Sequence, residues 1–99
     1  MKFLLITYKL TGEHREPMMV AVNDFIYAVR EKEPDVLRYE VFADTDGVTI
    51  RHFIVFKDAI AQDYHSNTPH FKELSAALSE HCEVAPVFSD LTLVATNTA

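Results

Sequence analysis

Two of the chain's five histidines, His65 and His70, lie in the stretch Tyr64-His65-Ser66-Asn67-Thr68-Pro69-His70-Phe71. With His52, Tyr39 and Arg38 they are the side chains best placed by type to do chemistry. A neutral imidazole against apolar walls suits a general base, because desolvation disfavours its charged form. Three converging histidines would also suit zinc or iron with an open position. His65 and His70, however, fall across a helix break and not at i, i+4 of one helix, so this spacing predicts no metal centre. The plainer alternative is a helix–helix corner in which both rings only satisfy backbone groups.

Other chemistries lose ground on the same residues. Two glycines cannot build a phosphate-binding loop. No serine or cysteine nucleophile motif is present, and Cys82 stands beside Glu83, which disfavours a thiolate. The scattered acids form no recognisable pair for glycoside cleavage. His14 and His81 read as solvated surface residues.

The net charge of −6, with nine scattered Lys and Arg, argues against nucleic acid, which needs clustered cations. At 48% hydrophobic residues the chain is not of disordered composition. Its 99 residues predict one domain, 1–99, with a modest core. A single cysteine excludes an intrachain disulfide and suits a reducing compartment. The run Phe3 to Ile6 is too short for a signal-peptide core, and no apolar stretch nears the roughly 20 residues of a membrane span. These features predict a cytoplasmic protein without a membrane partner.

The elements that must position the candidate residues follow from periodicity. Lys2 to Leu10 reads as a strand, apolar on both faces through Phe3, Leu4, Leu5 and Ile6. From Pro17 to about Glu33, Met18, Val22, Phe25 and Val29 recur at helical spacing. The charged turn Arg30 to Glu33 closes that helix before Pro34. Val36 to Ala43 alternates, with Leu37, Tyr39 and Val41 on one face. Asp44 to Gly47 is a hairpin turn, and Thr49 to Phe56 is its partner strand, with His52, Ile54 and Phe56 on one side. Asp58 caps a short helix to about Ser66. Thr68 and Pro69 then read as N-cap and first position of a helix to about His81, with Phe71, Leu74 and Leu78 buried. Val87 to Ala95 is the last predicted strand, and Asn97 to Ala99 a frayed tail.

The order strand, helix, strand, strand, helix pair, strand is the split βαβ, ferredoxin-like pattern: an α+β fold with an antiparallel sheet and helices on one face. The helices can cover only one side of the first strand. A second copy of the same sheet is the economical cover for the other, which predicts a twofold homodimer.

Two segments resemble a known family. Glu33-Pro34-Asp35-Val36-Leu37-Arg38-Tyr39-Glu40-Val41 is similar to the E-P-G-x-L-x-Y-x-V entry to the second strand of the antibiotic biosynthesis monooxygenase-like family. Phe56-Lys57-Asp58, Ala61, His65 and Pro69-His70-Phe71 resemble its aromatic-x-D-x-x-A-x-x-x-H-x-x-x-P-H-F stretch. The resemblance implies a dimeric α/β barrel in which two sheets face each other and the helices lie outside. It implies a cofactor-independent monooxygenase acting on a small hydroxyaromatic or quinol-type substrate. His65 or His70 would be the general base, with Tyr39, His52, Phe56 and Phe71 binding the substrate. Members commonly carry a Glu on the third strand with a Trp beside it; here stand Ile54 and Phe56, and there is no Trp. The haem-degrading branch's Trp and ligand His are replaced by His65 and Ser75, so no cofactor is expected. The alternatives on the same fold are a non-catalytic ligand-binding or stress-response dimer and an isomerase or lyase. Burial of the base without an acid partner predicts a pKa below about 6.5.

Overall fold

The computed structural model describes residues 1–98. Its elements are β1 (Lys2–Lys9), α1 (Arg15–Lys32), β2 (Val36–Ala43), β3 (Thr49–Phe56), α2 (Ala59–Ser66), α3 (Pro69–His81) and β4 (Val87–Leu91), with a 3₁₀ turn at Gly12–His14 before α1. The sheet runs β2-β3-β1-β4, with every neighbouring pair antiparallel. This is the ferredoxin-like α+β arrangement that the element order implies.

Local chemistry explains each boundary. Gly47 adopts φ +76° in the β2–β3 turn and donates to the Asp44 carbonyl at 2.9 Å, a conformation L side chains resist. Asp46 Oδ1 accepts from the amides of Val48 and Thr49, both at 2.9 Å, which fixes the hairpin register. Asp58 caps α2 by accepting from Ala61 N at 2.9 Å. Thr68 caps α3 by accepting from Phe71 N at 3.1 Å, and Pro69 follows at the first position.

The core lies between the helices and one sheet face. Met18, Val22, Phe25 and Val29, the predicted stripe of α1, are its buried residues. They meet Leu4, Ile6 and Tyr8 of β1 and Ile50, His52, Ile54 and Phe56 of β3. The opposite face of the sheet carries Phe3 and Leu5, paired with Val55 and Phe53 and flanked by Leu91 and Ser89. No helix covers it.

Several expected boundaries shift. β1 ends at Lys9, although Leu10 is fully buried and its amide still reaches Val48 O at 2.8 Å. α1 begins at Arg15, so the predicted polar link is partly helix; Pro17 fits there because first-turn amides need no intrahelical acceptor. β4 stops at Leu91, short of the predicted Ala95: Leu91 pairs with Phe3, and β1 has only Lys2 beyond it to pair with. Leu37 is 53% exposed and does not share the inner face with Tyr39 and Val41, because the register shifts between Val36 and Arg38. The predicted tail ends at Ala99, outside the described residues.

Candidate functional site

The hairpin register sets the first half of the site. On β3, His52 alternates with Ile50 and Ile54 and points into the core, where it is fully buried. Its Nε2 lies 2.6 Å from Tyr8 Oη and its Nδ1 2.8 Å from Tyr39 Oη. A neutral imidazole has one donor and one acceptor, so one phenol donates to the ring while the other accepts from it. Burial pushes the His52 pKa down to about 4, and no charged partner opposes this. Burial likewise raises both phenols above their ordinary range, reinforced by Cys82 near Tyr8, and by Tyr8 and Glu33 near Tyr39. Both ring nitrogens of His52 are therefore engaged inside the fold.

The second half is built where three helix ends meet. α1 closes at Glu33, α2 ends around His65, and His70 sits in the first turn of α3. Glu33 is a charged residue of a polar turn in the sequence, yet its side chain is only 2% exposed. Its carboxylate lies 3.0 Å from His65 Nδ1 through either oxygen, and 2.6 Å from His70 Nε2. An ionised carboxylate can only accept, so those two ring nitrogens carry the protons. His65 Nε2 and His70 Nδ1 remain as the basic positions, and neither bonds to another described residue. This corrects the expectation of a buried base without an acid partner: the acid is present and joins both rings. The direction expected for His65 still holds. Burial is the largest influence and lowers its pKa, His70 adds to this, and the Glu33 charge and hydrogen bond pull the other way.

Apolar walls bring the two halves together. Ring centroids of Phe56 and Phe71 lie 5.2 and 5.3 Å from that of His65, Phe25 lies at 5.5 Å and Tyr39 at 6.1 Å. The six residues singled out in the sequence therefore form one contiguous cluster, with His52, Phe56, His65 and His70 buried and Tyr39 and Phe71 half-buried. His65 is 2% exposed and packed by rings on several sides. Solvent reaches the edges of the cluster. A groove of about 290 Å³ passes Glu33, Ala61 and Tyr64, and one of about 410 Å³ passes Glu33, Arg38 and Tyr39. A smaller groove of about 160 Å³ between α1 and α3 reaches His70. Arg38 itself pairs with Glu40 at 3.0 Å on the outer face.

Sequence reasoning missed Tyr8, Phe25 and Glu33 as members of the cluster. Glu33 had a signal: it is the first residue of the segment that resembles the family pattern, directly before Pro34. It also read His14 and His81 as solvated, whereas they are half-buried and their Nδ1 atoms lie 3.1 Å apart. Among the described residues no group of three or more His, Cys, Asp or Glu is arranged to hold a metal ion, and no helix is long and apolar enough to cross a membrane.

Residues 1–77 match the profile of the family described as Antibiotic biosynthesis monooxygenase. Rv0793 from Mycobacterium tuberculosis shares the fold with a TM-score of 0.89 at 18% identity, covering 98% of each chain. A protein from Caulobacter crescentus gives 0.85 at 22% identity, covering 95% of this chain and 90% of that one. A structure named as an antibiotic biosynthesis monooxygenase gives 0.87 at 20% identity, covering 96% of this chain and all of the other. At such identities the likeness establishes a shared fold. No curated protein matches the chain in sequence.

Proposed function

The chain belongs to the antibiotic biosynthesis monooxygenase family, and on that premise we propose that it is a cofactor-independent monooxygenase of a small hydroxyaromatic or quinol-type substrate. The observation that carries the reading is the buried Glu33 carboxylate bonded to both His65 and His70. Such an acid fixes the tautomer of each imidazole and leaves its other nitrogen basic, the role a carboxylate plays behind a catalytic histidine. His65 is the better base of the two, because Tyr39, Phe56 and Phe71 all surround its ring. Tyr39, held by His52, orients the substrate's oxygen. Removing a proton gives an electron-rich anion that reduces oxygen directly. The keto tautomer of such a substrate carries a ring CH₂, which with O₂ becomes C=O and H₂O, so the substrate supplies all four electrons. The aromatic walls keep water from the anion.

The proposal extends to the whole chain. Residues 1–99 form one domain of this family, two copies join through the uncovered sheet face, and the protein works in the cytoplasm. A second reading is favoured by one observation: His65 is 2% exposed and closed in by rings. A filled interior suits a dimer that holds an apolar ligand without turnover. An isomerase or lyase using the same histidine would also consume no oxygen.

Oxygen uptake with a panel of hydroquinones and naphthoquinols separates these readings. The monooxygenase predicts consumption above autoxidation, falling by about 10²–10⁴ in His65→Ala for a lost general base. Activity should persist above neutral pH and fall on acidification, as His65 takes up a proton. No enzymatic uptake, or full turnover per folded molecule in both His65→Ala and His70→Ala, would overturn it.

A further inference from the structure

We propose that His14 and His81 form a two-point chelate for a borderline divalent transition metal such as zinc or copper(II), separate from the interior cluster. The two rings come from distant parts of the chain, the 3₁₀ turn before α1 and the last turn of α3, yet their Nδ1 atoms converge to 3.1 Å with the rings tilted by 60°. With metal–nitrogen bonds of about 2.0–2.1 Å, that separation subtends about 98° at a common ion, between octahedral and tetrahedral geometry. Both imidazoles are half-buried, so the ring positions are set by packing while an ion can still enter.

The surroundings favour a cation. Glu80 places a carboxylate oxygen 3.9 Å from His81 Nε2, on the side of the ring away from the proposed ion. A carboxylate behind the second ring nitrogen is the usual outer partner of a metal-bound histidine, and Glu80 is exposed enough to close the gap. His81 also lies at the negative end of the α3 dipole. The opposing influence is the N-terminus of α1 at His14, where Glu13 and Glu16 supply negative charge in the same stretch of chain. The neighbouring Arg15 is engaged elsewhere, donating to Gly47 O at 3.0 Å. With no third His, Cys, Asp or Glu in the group among the described residues, solvent completes the coordination. The site should therefore be labile, and should favour imidazole-preferring ions over magnesium or calcium.

Its position gives the ion a mechanical effect. α1 and α3 lie antiparallel, joined at one end by the Glu33–His70 bond and at the other by His14 and His81. A bound ion pins the second end.

Titration of chelator-treated protein with Zn²⁺ at pH 7.5, followed by calorimetry, tests this. We expect one ion per chain with micromolar affinity. His14→Ala and His81→Ala should each weaken binding at least tenfold, while Cys82→Ser leaves it unchanged. Zinc at 100 times its Kd should raise the folded-to-unfolded ratio about 100-fold in the parent protein. Should either variant fail to fold, the parent protein loaded with one equivalent of Cu²⁺ provides the second measurement. Its spin-echo spectrum should show two coupled imidazoles. Binding that survives loss of either histidine, a copper signal with fewer than two imidazoles, or no binding at millimolar zinc would overturn the proposal and leave two rings bonded only to each other.

Discussion

His52 and Glu33 are two interior residues whose hydrogen bonds tie distant parts of the chain together. His52 sits between two phenols with no charge to balance an imidazolium, and burial holds its pKa at about 4. The unfolded chain takes up a proton near the ordinary value of about 6.5 and so binds it more readily than the folded one. Stability from His52 is then fully present above about pH 6.5 and is lost as pH falls towards 4, amounting to roughly 3 kcal/mol over that interval. His65, also lowered by burial, adds in the same direction. Urea midpoints should be level above neutral pH and decline through pH 6 and 5, and the His52 ring resonances should stay those of a neutral imidazole to near pH 4. A His52 that titrates near 6.5 in the folded protein would contradict the buried geometry. Glu33 is the converse case, a buried acid with two donors. In Glu33→Gln the amide NH₂ must face at least one imidazole N–H, or force that ring into its other tautomer. The expected cost is about 1–3 kcal/mol for a buried unsatisfied group, read as a lower midpoint at pH 7.5. If the His65 reading is right, oxygen uptake falls as well, even at temperatures where the variant is fully folded.

Helix ends carry the site, and the α2–α3 corner shows how. The Thr68 hydroxyl accepts from Phe71 N at 3.1 Å and donates to His65 O at 2.9 Å, so one side chain starts α3 and closes α2. It thereby sets the spacing of His65 and His70 around Glu33. Thr68→Ala should cost about 1–2 kcal/mol as a lost N-cap with a second hydrogen bond. Replacing Thr68 by Ser should restore most of it, measured by thermal melting; a silent Thr68→Ala would mean that packing alone fixes the corner. This cap was legible from Thr-Pro before an apolar helical stripe, as were the stripe of α1, the Asp58 cap and the β2–β3 hairpin with its glycine. Those signals are local, because each concerns a few neighbouring residues and one backbone conformation. The missing parts were non-local. Tyr8 reaches His52 across 44 positions, and Glu33 reaches His65 across 32. A charged turn at a helix end looks the same in sequence whether it meets water or two imidazoles. The end of β4 was missed for a related reason: Thr92 to Ala95 have strand-forming composition, but beyond Phe3 β1 offers them only Lys2.

At the scale of the whole molecule, the two faces of the sheet differ in what covers them. The inner face is closed by α1, α2 and α3, and among the described residues no fully buried side-chain nitrogen or oxygen lacks a hydrogen-bond partner. The outer face carries the half-buried Phe3, Leu5 and Phe53 beside the buried Val55 at its centre, with Phe3 and Phe53 stacked at 6.4 Å. Around this patch stand Arg38 paired with Glu40, and Arg51 paired with Asp44 at 2.8 Å. An apolar centre rimmed by ion pairs is the composition of a protein interface, and stacked sheets pack face to face at about 10 Å. The predicted homodimer would remove about 2,000 Å² or more from solvent, the range of obligate interfaces. Sedimentation should show a dimer at micromolar concentration. Phe53→Asp, at a half-buried position on the face turned away from the helices, should shift the species to monomer. If the sheet owes part of its stability to its partner, the melting temperature of Phe53→Asp should fall and that of the parent protein should depend on concentration. A parent protein that sediments as a monomer at micromolar concentration would show that the outer face meets something other than a second copy of the chain.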